Sequence, residues 1–137
     1  MNKFKLRELV FQILYSRQFT KHSDNALIQF IIKKAKVSKN SAKFAQERAL
    51  IVEEKLQEID EIIKKFLQTK SFERMSKIEK SILRVGVFEL FFDQDIPGEV
   101  AISEGVRICR KFGSEEGAKF VNAVLDGSFK HHEKQAS

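Results

Sequence analysis

The 137-residue chain has one cysteine, one proline, six glycines and no tryptophan. A lone cysteine, Cys109, excludes an intramolecular disulfide framework and any multi-cysteine metal site. One proline and six glycines cannot supply the regular turn signals that a sandwich or barrel requires, which disfavours an all-β fold. No apolar run is long enough to span a bilayer: the richest, residues 82–92, is short and contains Arg84 and Glu89. Residues 1–15 open basic and continue apolar, as a secretion signal does. Arg7, Glu8 and Gln12 interrupt that stretch, however, and no small-residue cleavage pattern follows. These absences lead to the expectation of a soluble, cytoplasmic, helical chain.

Hydrophobic residues make up 42% and charged residues 32%, the balance of a packed core under a solvated surface. Thirteen phenylalanines supply apolar volume that a disordered chain lacks. The net charge of +6 is unevenly spread. Residues 1–70 carry 15 Lys/Arg against 8 Asp/Glu, and residues 71–137 carry 10 against 11. A basic first half suits a polyanionic partner, and equally suits a merely solvated surface.

Apolar spacing predicts a helix over residues 3–18, a short second helix around residues 27–32 capped by Ser23 or Asp24, and a longer third helix capped by Ser41. That third helix bends or breaks once before Leu67. The polar stretch 69–76 is the expected internal boundary. Ser76 with Glu79 forms a capping box for a helix over residues 77–92. Pro97 precedes a helix ending at Gly113, and Ser114 caps a last helix expected to end at Gly127, followed by a frayed polar tail. The prediction is an all-α fold of six to seven helices in one domain over residues 1–137. Two packed sub-bundles, about 1–70 and 71–137, share one core, since neither is large enough to be stable alone.

Catalytic groups are scarce. His22, His131 and His132 fall in a loop and a tail, without the oriented partner that a general base needs. Cys109 sits on a buried stripe, where a thiol behaves as a small hydrophobe. No phosphate-loop, dinucleotide or metalloprotease motif occurs. Neither an enzyme nor a cofactor is expected. For nucleic acid, Lys3, Lys5 and Arg7 make a basic arm leading into the first helix, and Tyr15 lies about two turns further on, where it can stack on a base or serve as partly buried core. Lys119 and Phe120 follow a helix N-terminus whose donors suit a phosphate, although Glu115 and Glu116 repel one.

The run Glu79-Lys80-Ser81-Ile82-Leu83-Arg84-Val85-Gly86-Val87-Phe88-Glu89-Leu90 resembles the signature of the bacterial NusB family. So do Asp95-Ile96-Pro97 followed by Val100-Ala101-Ile102-Ser103-Glu104, and Lys111-Phe112-Gly113-Ser114-Glu115-Glu116 followed by Lys119-Phe120-Val121-Asn122-Ala123-Val124-Leu125-Asp126. Arg7-Glu8-Leu9 with Gln12 and Leu14-Tyr15 is similar to the family's first helix; residues 20–75 match only in length and helical pattern.

The resemblance implies a two-subdomain helical fold that binds boxA, a short single-stranded element of ribosomal RNA transcripts, together with NusE, a small-subunit ribosomal protein. The pair then helps load an antitermination complex on RNA polymerase. It implies RNA-binding roles for Lys3, Lys5, Arg7, Tyr15, Lys119 and Phe120, with Glu116 an acid that tempers affinity. Glu79 and Arg84 would lie on the RNA or partner surface, although Glu79 also completes a cap and Arg84 can pair with a carboxylate. Exposed apolar residues would support a homodimer when NusE is absent.

Three departures from the family pattern stand out. Lysines replace arginines at positions 3 and 5, losing the fork that grips phosphate. Phe4 is apolar within the arm. Gly105 replaces an alanine, at a cost of about 1 kcal/mol unless close packing requires it. Two alternatives remain at this stage: the N-terminal NusB-like domain of a ribosomal RNA cytosine methyltransferase, and a helical protein-interaction module without RNA binding.

Overall fold

The computed structural model describes residues 3–19, 25–68 and 70–136, and every described element is an α-helix. The chain divides into two compact units, Met1–Glu54 and Lys55–Ser137.

The first unit holds α1 (Lys3–Arg17), α2 (Asn25–Ala35) and α3 (Lys39–Glu54), with α1 packed on both others. Helix α1 buries Leu9, Val10, Phe11, Ile13 and Leu14. Helix α3 answers with Ala42, Ala45, Ala49 and Val52, small side chains at helical spacing that let the bulky face of α1 approach. Arg17 at the end of α1 pairs with Glu53 at the end of α3. Helix α2 runs past the expected stop into Lys33 and Lys34 and gives way at Lys36, which has φ +54°. The cap of α3 is Ser38, not Ser41: the Ser41 amide donates to Ser38 Oγ at 3.1 Å, while Ser41 is buried in the first turn. The alternative cap positions for α2, Ser23 and Asp24, lie outside the described residues.

The second unit holds α4 (Leu56–Lys65), α5 (Lys77–Phe92), α6 (Gly98–Phe112) and α7 (Glu115–Ala136). The predicted interruption of the long third helix falls at Lys55, so α4 starts the second unit and packs on α5 and α7. The division therefore lies at residues 54/55 rather than near residue 70. Ile59 and Ile63 carry α4 into the core of these helices, and the polar stretch 70–76 is a connection within the unit. Ser76 caps α5 by accepting from the Glu79 amide at 3.3 Å, and Ser114 caps α7 by accepting from the Gly117 amide at 2.9 Å.

Gly127 does not end α7, which continues to Ala136. A Cβ at Gly127 would stand 3.3 Å from Phe66, so the glycine serves close packing within the helix. Beyond it, the buried Ser128 hydroxyl donates to the Val124 carbonyl at 2.7 Å, and the Phe129 ring fills the space above Gly98. The expected tail is helical as well: His131 meets Phe66 edge-on and His132 packs on Phe91 at 4.3 Å between ring centroids.

Candidate nucleic-acid interface

The basic segment expected as an arm is helical. Helix α1 begins at Lys3, placing Lys3, Lys5 and Arg7 in its first two turns with no acidic residue in the first turn. Cations at a helix N-terminus oppose the dipole, each at a cost of about 0.3–1 kcal/mol. Together with the helix dipole they concentrate positive potential at one end of the helix, an arrangement suited to an anion. Helical spacing puts Lys3 and Arg7 on one face and Lys5 on the opposite side. Lys3, Phe4 and Lys5 are exposed, and Arg7 is half-buried.

Tyr15, further along α1, is half-buried. It stacks on Phe11 with centroids 6.1 Å apart and meets the exposed Phe19 edge-on at 5.1 Å. One side of Tyr15 therefore belongs to the packing, and the remainder faces solvent. With the observed boundary, the first unit carries 11 Lys/Arg against 5 Asp/Glu, and the second 14 against 14. The whole formal excess of +6 belongs to the unit that carries α1.

In the second unit Glu79, Glu116, Lys119 and Phe120 gather around the first turns of α7, and Arg84 does not. Glu115 is held by Arg110, Nε to Oε2 at 3.0 Å, while the neighbouring Glu116 and Lys119 are exposed. Phe120 is half-buried, and the Lys70 ammonium lies 4.0 Å from its ring centroid. Glu79 reaches the same place from α5: a Cβ at Gly117 would stand 2.9 Å from Glu79 Oε2 and 3.1 Å from Ser114 Oγ. Gly117 thus allows the Glu79 carboxylate of α5 to approach the first turn of α7. Arg84 is engaged inside the unit, donating to Asp60 from Nε and Nη2 at 2.9 Å each.

Sequence reasoning missed Lys70, Arg74 and Phe72. The Phe72 ring is surrounded by Lys80 at 4.3 Å, Lys64 at 5.2 Å and Arg84 at 5.8 Å. Burial, followed by the charges of Arg84 and Lys77, pushes the Lys80 pKa down from 10.5. The available signal was local charge, since residues 64–84 hold 7 Lys/Arg against 2 Asp/Glu. Cys109 is fully buried, and burial pushes its thiol pKa up, as expected of a packing residue rather than a nucleophile. Among the described residues no helix is long and apolar enough to cross a membrane.

A family model described as the NusB family matches residues 5–130. The chain is 37% identical to the transcription antitermination protein NusB of Fervidobacterium nodosum, over 93% of this chain and 89% of that one. It is 36% identical to the protein of the same name from Pseudothermotoga lettingae, over 89% and 86%. Among solved structures, Thermotoga maritima NusB superposes with a TM-score of 0.81 at 29% identity, covering 100% of this chain and 99% of that one. A chain from a crystal structure of antitermination factors NusB and NusE in complex with dsRNA gives 0.80 at 27% identity, covering 94% and 96%.

Proposed function

The chain belongs to the NusB family, and from that premise we propose that it is a transcription antitermination factor binding boxA-type RNA of ribosomal RNA transcripts together with NusE. The observation that carries the reading is the match to a NusB chain crystallised with NusE and RNA, at a TM-score of 0.80 over 94% of this chain. The protein works by binding and is not an enzyme. The relatives compared carry the name of antitermination proteins and are covered over 89% and 86% of their own length, which favours this reading over the methyltransferase alternative.

Two basic or aromatic surfaces serve the RNA. In the first unit, Lys3 and Arg7 at the positive end of α1 meet phosphates, Lys5 adds charge, and Tyr15 offers a ring to a base. In the second, Lys119 and Phe120 do the same while Glu116 moderates the potential. Glu79 and Arg84 shape the neighbouring surface, Arg84 through its hold on Asp60. The NusE-bound protein joins the antitermination complex on RNA polymerase, in the cytoplasm. Without NusE, exposed apolar side chains such as Phe30 and Phe44 support a homodimer.

The test is a fluorescence titration of a labelled single-stranded boxA-type RNA, with a scrambled strand and the same sequence as a duplex for comparison. The chain is added alone and then with NusE. Selective binding to the single strand that tightens with NusE is expected. Equal weak binding to all three, indifferent to NusE, would reduce the protein to a basic helical module acting through other partners.

A further inference from the structure

The connection between α4 and α5 borders an open cavity of about 330 Å³ lined by Lys70, Ser71, Arg74, Met75, Ser76 and Glu79. We propose that this cavity holds a phosphate of the bound RNA strand, with Arg74 as its principal cation. The proposal rests on the RNA-binding reading above and adds a contact that the arm and the aromatic residues do not provide.

Three independent features converge on an anion. The first is local charge: residues 64–84 hold 7 Lys/Arg against 2 Asp/Glu in a unit that is neutral as a whole. The Lys80 pKa is lowered first by burial and then by the neighbouring charges of Arg84 and Lys77, which belong to the same cation excess.

The second is the disposition of the acids. Asp60 is committed to Arg84 through two hydrogen bonds. Glu73 accepts from the Ser71 hydroxyl at 3.1 Å. Glu79, the one carboxylate on the cavity wall, lies with Oε2 against Gly117. Arg74 is exposed on the turn, with no ion-pair partner among the described residues. Its planar fork suits two oxygens of one phosphate, a geometry the lysines of α1 cannot offer.

The third feature is continuity with an aromatic platform. Lys70 lines the cavity and also caps the Phe120 ring at 4.0 Å. A strand that places a base at Phe120 displaces that ammonium toward the cavity, where it meets the phosphate beside the base. A bare acidic peptide would use the cations but leave the ring without a function. The combination of ring and cavity therefore favours a nucleic-acid strand.

The experiment uses the full chain with NusE and a labelled boxA-type RNA, titrated over a range of salt. Arg74→Ala is expected to weaken binding about tenfold, as loss of a charge-assisted hydrogen-bonded contact does. It should also lower the magnitude of the log–log salt slope by about 0.7, one single-strand phosphate. Arg74→Lys should recover the slope but only part of the affinity. A walk of single methylphosphonate linkages identifies the phosphate: one linkage should weaken the wild type yet leave Arg74→Ala unchanged. An unchanged slope, or penalties that add at every linkage, overturns the proposal. Loss of NusE affinity with RNA affinity intact overturns it too, assigning the cavity to an acidic protein segment. Failure of the RNA reading itself would show separately, in a wild type that does not distinguish the boxA-type strand from the scrambled one.

Discussion

Arg84 on α5 and Asp60 on α4 lie side by side, Nε to Oδ1 and Nη2 to Oδ2, both at 2.9 Å, with side chains only 14% and 17% exposed. The pair fastens α4 to the second unit and occupies the guanidinium fork that the family resemblance offered to RNA or a partner. Removing one member of a largely buried pair strands the other. Asp60→Ala and Arg84→Ala should each cost about 2–3 kcal/mol, somewhat less than for a fully desolvated pair. Urea unfolding of both single variants and the double variant would measure the coupling. RNA affinity of the folded variants should stay within about twofold, below the tenfold expected for a lost charged contact. A much larger loss for Arg84→Ala than for Asp60→Ala would make Arg84 a direct RNA contact.

Gly105 is accounted for by its packing. A Cβ there would stand 2.8 Å from Leu125 Cδ1 and 3.4 Å from Val121, and a Cβ at Gly86 on α5 would likewise stand 2.8 Å from Leu125 Cδ2. Leu125 is fully buried, so it has little room to yield. Gly105→Ala should therefore destabilise the protein by about 1–2 kcal/mol through overpacking, despite the gain of about 1 kcal/mol in helix propensity. In a Leu125→Ala background the same change should become neutral or stabilising. Thermal unfolding of the four proteins decides it, and additive effects would discard the close-packing account.

Much of this fold could be read from local chemistry, and what could not has a common cause. Ser76 and Ser114 announce their helices because a cap is a local bond, and the spacing of apolar residues placed α5 at residues 77–92. Gly127 was misread because glycine signals a helix end only when nothing packs on it, and Phe66 does. His131 and His132 read as solvated tail because their aromatic partners lie far away in sequence. The cation cluster around Phe72 escaped notice because a division near residue 70 split it, Lys64 going to one half and Lys80 and Arg84 to the other. Tyr15 was legible as a candidate from its place about two turns beyond the basic residues of α1, and Lys119 and Phe120 from following a helix N-terminus. The Lys70 ammonium over Phe120 is tertiary and leaves no mark in the sequence around position 120.

The buried thiol of Cys109 links stability to alkaline pH. Burial, then the nearby carboxylates of Glu79 and Glu115, raise its pKa above the ordinary 9.0. The folded state thus holds this proton more tightly than the unfolded state. The resulting stability is fully present below pH 9.0 and is lost as the pH rises through the folded value. Cys109→Ala should be less stable than the wild type at neutral pH, and the gap should narrow above pH 9.0. A thiol reagent should label native Cys109 only at the rate of opening; rapid labelling at neutral pH would contradict the buried placement.

Helix α1 makes a graded prediction about its cations. Lys3 and Arg7 share a face by helical spacing and Lys5 does not, so one strand cannot follow all three equally. Lys3→Ala and Arg7→Ala should each reduce the salt slope of RNA binding by about 0.7, and Lys5→Ala by clearly less. Equal effects at the three positions would point to an unstructured, wrapping arm instead.

Glu116 separates the demands of folding from those of binding. It sits exposed in the first turn of α7, where a negative charge complements the helix dipole by about 0.3–1 kcal/mol. Its neighbour Glu115 is already held by Arg110, so Glu116 carries the uncompensated charge facing an approaching phosphate near Lys119 and Phe120. Glu116→Asn should therefore shift stability and affinity in opposite directions: slightly lower stability, and tighter RNA binding by a few-fold at low salt, fading as salt screens the repulsion. Measuring unfolding and RNA titration on the same preparation tests both signs at once. If affinity fell along with stability, Glu116 would be positioning the RNA or the helix end, and its role as a brake on binding would have to be abandoned.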